Sequence, residues 1–107
     1  MQAFSPEDLF VAQRQAGRLY HEFLRVPALS AGVYVLPAGA KDPQQPHAED
    51  EIYHVLRGHA RVRVADEERP IGPGDTIYVA ANAEHRFSEI TEELALLVFF
   101  APAHATG

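Results

Sequence analysis

With 107 residues, 47% of them hydrophobic, the chain has the length for one domain built on one core. Its formal charge of −6, with Lys41 the sole lysine, argues against a phosphate backbone as partner, and no apolar run is long enough to span a bilayer. There is no cysteine, so disulfides and thiolate ligands are excluded, and the opening residues lack the basic and apolar stretches of a signal peptide, which makes cytoplasm the expected location.

In chain order, Ser5-Pro6-Glu7-Asp8 predicts a helix start. Ser5 can cap, proline suits the first helical position, and the two acids suit the positive end of the dipole. Leu9, Phe10 and Ala16 give that helix an apolar side and Gly17 stops it, so residues 1–17 form a short helical segment. Strand signals follow at 19–26, ended by Pro27, and at 32–36, ended by Pro37 and Gly39. Residues 41–46 are polar and proline-bearing, hence a loop.

Residues 51–57 have the β-branched and aromatic content of a strand, closed by a tight turn at Gly58, and 60–65 alternate arginine with valine in the period of a half-buried strand. Asp66-Glu67-Glu68 predicts an acidic turn and residues 70–75 a second one, rich in glycine and proline. Strands at 76–80, 85–90 and 94–100 complete the set, and the small residues from Ala101 to Gly107 predict a fraying tail. Many short strands and almost no helix indicate an all-β sandwich or barrel in a single domain, with the barrel over 18–101.

Four residues carry the chemistry: Gln45, His47, Glu51 and His85. Two imidazoles, a carboxylate and an amide oxygen, each beside a strand-like run, are what a first-row metal needs. The bland alternatives stay open. His47 sits in a polar loop and can be a surface histidine. Glu51 opens an apolar strand, so it is either exposed at the strand end or bound to something. Gln45 is either a ligand or a loop hydrogen-bonder. Glu49 and Asp50 are expected to be solvated, with Glu49 a reserve ligand. His54 and His59 read as packing or surface residues, and His21 and His104 carry no signal. Arg61 and Arg63 suit a solvated or subunit-facing side or, if they face the cavity, an anionic substrate.

The segment from Gly39 to Gly58 resembles the first signature motif of the cupin superfamily: Glu51 holds the glutamate position, Gly58 follows with six residues between, and His47 matches the second histidine. Gln45 occupies the place of the first histidine. The segment from Gly74 to His85 resembles the second motif, with Gly74, Asp75 and His85 in place, Ala80 where proline is usual and Asn82 where glycine is usual. Asparagine tolerates the left-handed conformation better than most residues, so the turn is feasible. Fifteen residues separate Gly58 from Gly74, as in a compact single-domain cupin.

The resemblance implies a cupin-type antiparallel β-barrel, or jelly roll, with a divalent first-row transition metal (iron, manganese, nickel, copper or zinc) held by His47, Glu51 and His85, with Gln45 as a fourth ligand. It implies a small-molecule ligand, an apolar lining that includes Tyr53, Val55 and Phe87, and a homodimer. Of the activities, it most readily implies oxidation of a small organic molecule, as in a dioxygenase. A non-catalytic ligand-binding cupin and a metal-independent isomerase or lyase are the alternatives.

Overall fold

The structure, a computed structural model, describes residues 1–42 and 46–105. One helix, α1 (Pro6–Ala16), precedes eight strands: β1 (Tyr20–Val26), β2 (Leu29–Leu36), β3 (Asp50–Arg57), β4 (Ala60–Val64), β5 (Glu67–Ile71), β6 (Thr76–Val79), β7 (His85–Ser88) and β8 (Leu94–Ala101). The helix begins and ends as its sequence predicts. Ser5 Oγ accepts from the Asp8 amide, and Gly17 adopts a left-handed conformation while its amide reaches back to the last turn. Among the described residues no helix is long and apolar enough to cross a membrane.

The strands form two antiparallel sheets, one of five strands in the order β1-β2-β8-β3-β6 and one of three in the order β5-β4-β7. They enclose a core of Leu36, Tyr53, Val55, Val62, Phe87, Leu94 and Leu96 between them, as in a jelly roll, and among the described residues no hydrogen-bonded ladder closes one sheet onto the other. Outside the larger sheet, Leu9 and Phe10 of α1 pack on Val33, Val35 and Ala95, so the helix covers part of its outer face.

Period-two alternation holds along β3. Glu51, Tyr53 and Val55 point inward and are almost fully buried, whereas Ile52 is exposed on the outer face. His85 and Phe87 likewise share the inner face of β7. Glu51 and His85 therefore approach one another from opposite sheets.

Two expectations are corrected. The acidic turn and the start of the following one are instead an edge strand, β5, paired with β4 from Val64↔Glu67 to Ala60↔Ile71. Four of its five residues are exposed, so it has no buried face to give an apolar pattern, and Pro70 is tolerated at an edge. The tail does not fray over 103–105. The Ala103 amide donates to Pro27 O, the His104 amide to Ser30 Oγ at 2.8 Å and the Ala105 amide to Glu49 Oε2 at 3.2 Å.

Gly58 sits at φ +91°, and a Cβ there would press into the backbone carbonyl of Glu93, well inside van der Waals contact. Both faults act on backbone and cannot be relieved by a rotamer change. Gly58→Ala is expected to cost on the order of 3 kcal/mol, read as a fall of more than about 10 °C in melting temperature by calorimetry. A loss under about 2 °C would show that the turn is free to rearrange.

Candidate metal centre

Each candidate ligand is placed by a different device. Glu51 is set by the alternation of β3. His85 opens β7 after a turn in which Asn82 takes a left-handed φ of 67°, the conformation expected of an asparagine at the usual glycine position. The same turn fixes the third residue: the Asn82 amide donates to His47 O at 2.6 Å. Asp42 bridges the two sheets. Buried at 8% exposure, it accepts from the Tyr34 hydroxyl at 2.9 Å and from the Phe87 amide at 2.9 Å.

His47, Glu51 and His85 each bring one ligand atom within 4.8 Å of the others. The His85 ring is oriented by Nδ1, which lies 3.0 Å from Ala83 O. A carbonyl can only accept, so Nδ1 donates, and in the neutral ring Nε2 presents a lone pair. That lone pair lies 3.3 Å from Glu51 Oε1, with both side chains 1% exposed. Among the described residues neither Glu51 oxygen nor His85 Nε2 completes a well-formed hydrogen bond.

Two acceptors thus face each other out of water, an arrangement that costs about 1–3 kcal/mol for each unpaired group unless a cation or proton sits between them. A pair of groups can share a proton; the convergence of a third, His47, fits a metal ion. The donor set of two imidazoles and one carboxylate is the chemistry a first-row divalent ion takes, and it leaves coordination positions for a ligand.

Burial raises the Glu51 carboxyl from 4.5 to about 7; the nearby Tyr53 hydroxyl opposes this, and the Asp42 and Glu49 charges add to it. The pKa of His47 is lowered, first by burial and then by His104 and His85, against the pull of Glu49 and Asp42. A neutral imidazole is the form that ligates a metal.

Gln45, the expected fourth ligand, lies outside the described residues. Two residues change character. Glu49, expected to be solvated, is buried and accepts the Ala105 amide. His104, which carries no sequence signal, is brought by the tail against His47, with Nε2 3.2 Å from His47 Nδ1, and stacks on Phe100 at 4.4 Å between ring centroids. His47, Glu49 and His104 also have ligand atoms within 4.8 Å of one another.

An apolar cavity of about 210 Å³ adjoins His47, lined by Tyr20, Tyr34, His47, Val98, Phe100 and His104. Tyr53, Val55 and Phe87 do not border this space. They pack in the core beneath the centre, with the Tyr53 ring 4.9 Å from Phe87 and 5.9 Å from His85. Arg61 is half-exposed and pairs with Glu68 and Glu89. Arg63 is exposed and borders a polar hollow outside the smaller sheet together with Arg86, Glu68 and Glu84, where opposite charges are mixed.

Residues 32–101 match the cupin domain family, and the chain belongs to it. An uncharacterized protein of Streptomyces coelicolor is 39% identical over 102 residues, which span 95% of this chain and 97% of that one. Among solved structures, TT1209 from Thermus thermophilus superposes with a TM-score of 0.76 over 96% of this chain and 99% of its own, at 24% identity. The DMSP lyase DddQ from Ruegeria pomeroyi is 28% identical with a TM-score of 0.66; the match covers 71% of this chain and 39% of that enzyme.

Proposed function

We propose that this cupin holds one divalent first-row transition metal at His47, Glu51 and His85, with Gln45 as a fourth, neutral ligand, and acts on a small organic molecule seated in the adjoining cavity. The observation that carries this reading is the buried pair Glu51 Oε1 and His85 Nε2, 3.3 Å apart, neither of which completes a well-formed hydrogen bond among the described residues. When bound, such an ion supplies Lewis acidity and an open position for substrate or dioxygen. The chain's own part is to keep His85 in one tautomer through Ala83 O, to exclude water from Glu51, and to offer apolar walls at Val98 and Phe100.

Oxidation of the bound molecule, as by a dioxygenase, is the reaction the family likeness supports first. A second reading, metal-independent proton transfer as in a lyase or isomerase, is favoured by Glu51, whose carboxyl is raised by burial to about 7 in the metal-free site and so suits a general base at neutral pH, and by the likeness to a DMSP lyase. Metal analysis of protein purified without chelator tests the first reading; a stoichiometry near zero after reconstitution with iron, manganese, nickel, copper and zinc in turn would remove it and leave the second. Oxygen uptake with candidate phenols, diketones or thiols then separates oxidation from proton transfer and from binding without turnover.

A homodimer is part of this reading. Its support is a row of exposed apolar side chains on the outer face of the larger sheet: Phe99 opposite Ile52, and Ile52 opposite Tyr78. A monomer by light scattering across the micromolar range would remove it.

A further inference from the structure

The three candidate ligands are oriented by different means. Glu51 stands on β3, and the His85 ring is set by Nδ1, 3.0 Å from Ala83 O, so that its Nε2 faces Glu51. His47 precedes β3 in irregular chain, where no ladder directs a side chain. A contact on its ring comes instead from the far end of the chain, where His104 Nε2 lies 3.2 Å from His47 Nδ1. Backbone bonds deliver His104 to that spot. The Ala103 amide donates to Pro27 O, the His104 amide to Oγ of the fully buried Ser30, and the Ala105 amide to Glu49 Oε2, while the Arg25 guanidinium donates to His104 O. The imidazole is thus placed by its own backbone, stacks on Phe100, and turns a nitrogen to His47. His104 lies past residues 32–101 that match the family, so the matched segment does not itself supply this contact.

We propose that His104 is a positioning residue of the metal centre: its Nε2 accepts the Nδ1 hydrogen of His47 and so holds that ring with Nε2 as the ligating nitrogen. The inference rests on the reading of His47, Glu51 and His85 as the ligands. A hydrogen bond between two imidazoles has one donor and one acceptor. A neutral His47 that gives its Nε2 lone pair to an ion carries its hydrogen on Nδ1. His47 therefore donates, and His104, with its own hydrogen on Nδ1, accepts. The two histidine ligands are then equipped alike, with Nδ1 of His85 committed to Ala83 O and Nδ1 of His47 to His104, so that Nε2 carries the lone pair in both. An acceptor on the far nitrogen also makes the ring a stronger ligand. The backbone bonds of the tail and the stack on Phe100 keep this acceptor in place before an ion arrives.

Two substitutions separate this role from packing. His104→Phe keeps a ring against Phe100 and removes the acceptor, whereas His104→Gln gives up the ring and keeps an acceptor at nearly the same reach. In metal-free protein, at a pH where the rings are neutral, long-range proton–nitrogen NMR reads the His47 tautomer. Wild type and His104→Gln are expected to carry the hydrogen on Nδ1, and His104→Phe to carry it on Nε2, the form a free imidazole prefers in water. Zinc affinity is then measured by competition with a chelator, with His85→Ala as the reference for loss of a ligand. His104→Phe is expected to bind zinc about 10-fold more weakly than wild type, and His104→Gln within about 3-fold of it. A packing role ranks the two variants the other way and overturns the proposal. So does an Nε2 hydrogen on His47 in wild type, or an Nδ1 hydrogen that persists in His104→Phe, since another group then sets the ring; zinc binding lost in His85→Ala would leave the metal reading standing. A loss in His104→Phe as deep as in His85→Ala overturns it as well, by making His104 a ligand beside Glu49. Wild type that binds no zinc, with a His47 tautomer that follows residue 104, supports His104 as the group that orients His47 while removing the metal reading.

Discussion

His85→Ala is expected to lower metal affinity at least about 100-fold, the upper end of what removing a mere supporting contact around a metal costs. The variant takes away the one ring nitrogen whose lone pair is both buried and aimed at Glu51 Oε1. The fold should survive, because the imidazole makes one local hydrogen bond, to Ala83 O, and the core beneath it is formed by Tyr53 and Phe87. Competition titration of the purified variant against a chelator of known affinity, with circular dichroism as a control for folding, gives the answer. Affinity within a few-fold of wild type would move the ion to other residues, and the set formed by His47, Glu49 and His104 would then be the place to look.

The second large effect concerns Glu51 in protein stripped of metal. Its carboxyl is raised from 4.5 to about 7 in the folded state, with burial the main cause. The folded protein therefore holds this proton more tightly than the unfolded chain does. The favourable contribution is complete at low pH and is lost as pH climbs from 4.5 through about 7. With the side chain 1% exposed, solvent screening removes little of it, and the loss is on the order of 3 kcal/mol. Urea unfolding of chelator-treated protein across that range is expected to show the stability of wild type falling relative to that of Glu51→Gln by this amount, the rise contributed by the lowered pKa of His47 being common to both. Saturating metal reverses the slope, because the ion takes the ionised carboxylate and competes with its proton. A wild-type profile parallel to that of Glu51→Gln would mean the carboxylate is ionised throughout.

The regular elements were legible because their residues repeat with a period that a buried face imposes. Glu51, Tyr53 and Val55 alternate with Ile52, His54 and Leu56, and the burial follows that alternation. Ser5, Pro6 and Gly17 mark a helix whose ends depend on local chemistry alone. β5 was illegible for the converse reason, since an exposed edge strand is held by its backbone pairing with β4 and needs no apolar side chains. The burial of His104 and of Glu49, the reserve ligand, was not legible because it depends on the tail returning across β1 and β2, through contacts of its amides with Pro27 O, Ser30 Oγ and Glu49. No nearby sequence encodes that return. Tyr20 was readable as strand but not as cavity wall; its place inside depends on the bare backbone at Gly32 across the sheet.

Glu51 belongs to the larger sheet and His85 to the smaller one. Among the described residues the two sheets have no shared ladder, so an ion gripped by both side chains would act as a rivet between two plates. Opening the sandwich would then require letting the ion go. Metal occupancy and the breathing of the whole domain become a single equilibrium, in which an ion at a hundred times its dissociation constant adds about 2.7 kcal/mol against unfolding. Scarcity of metal in the cell would be felt as a looser protein as well as an empty site.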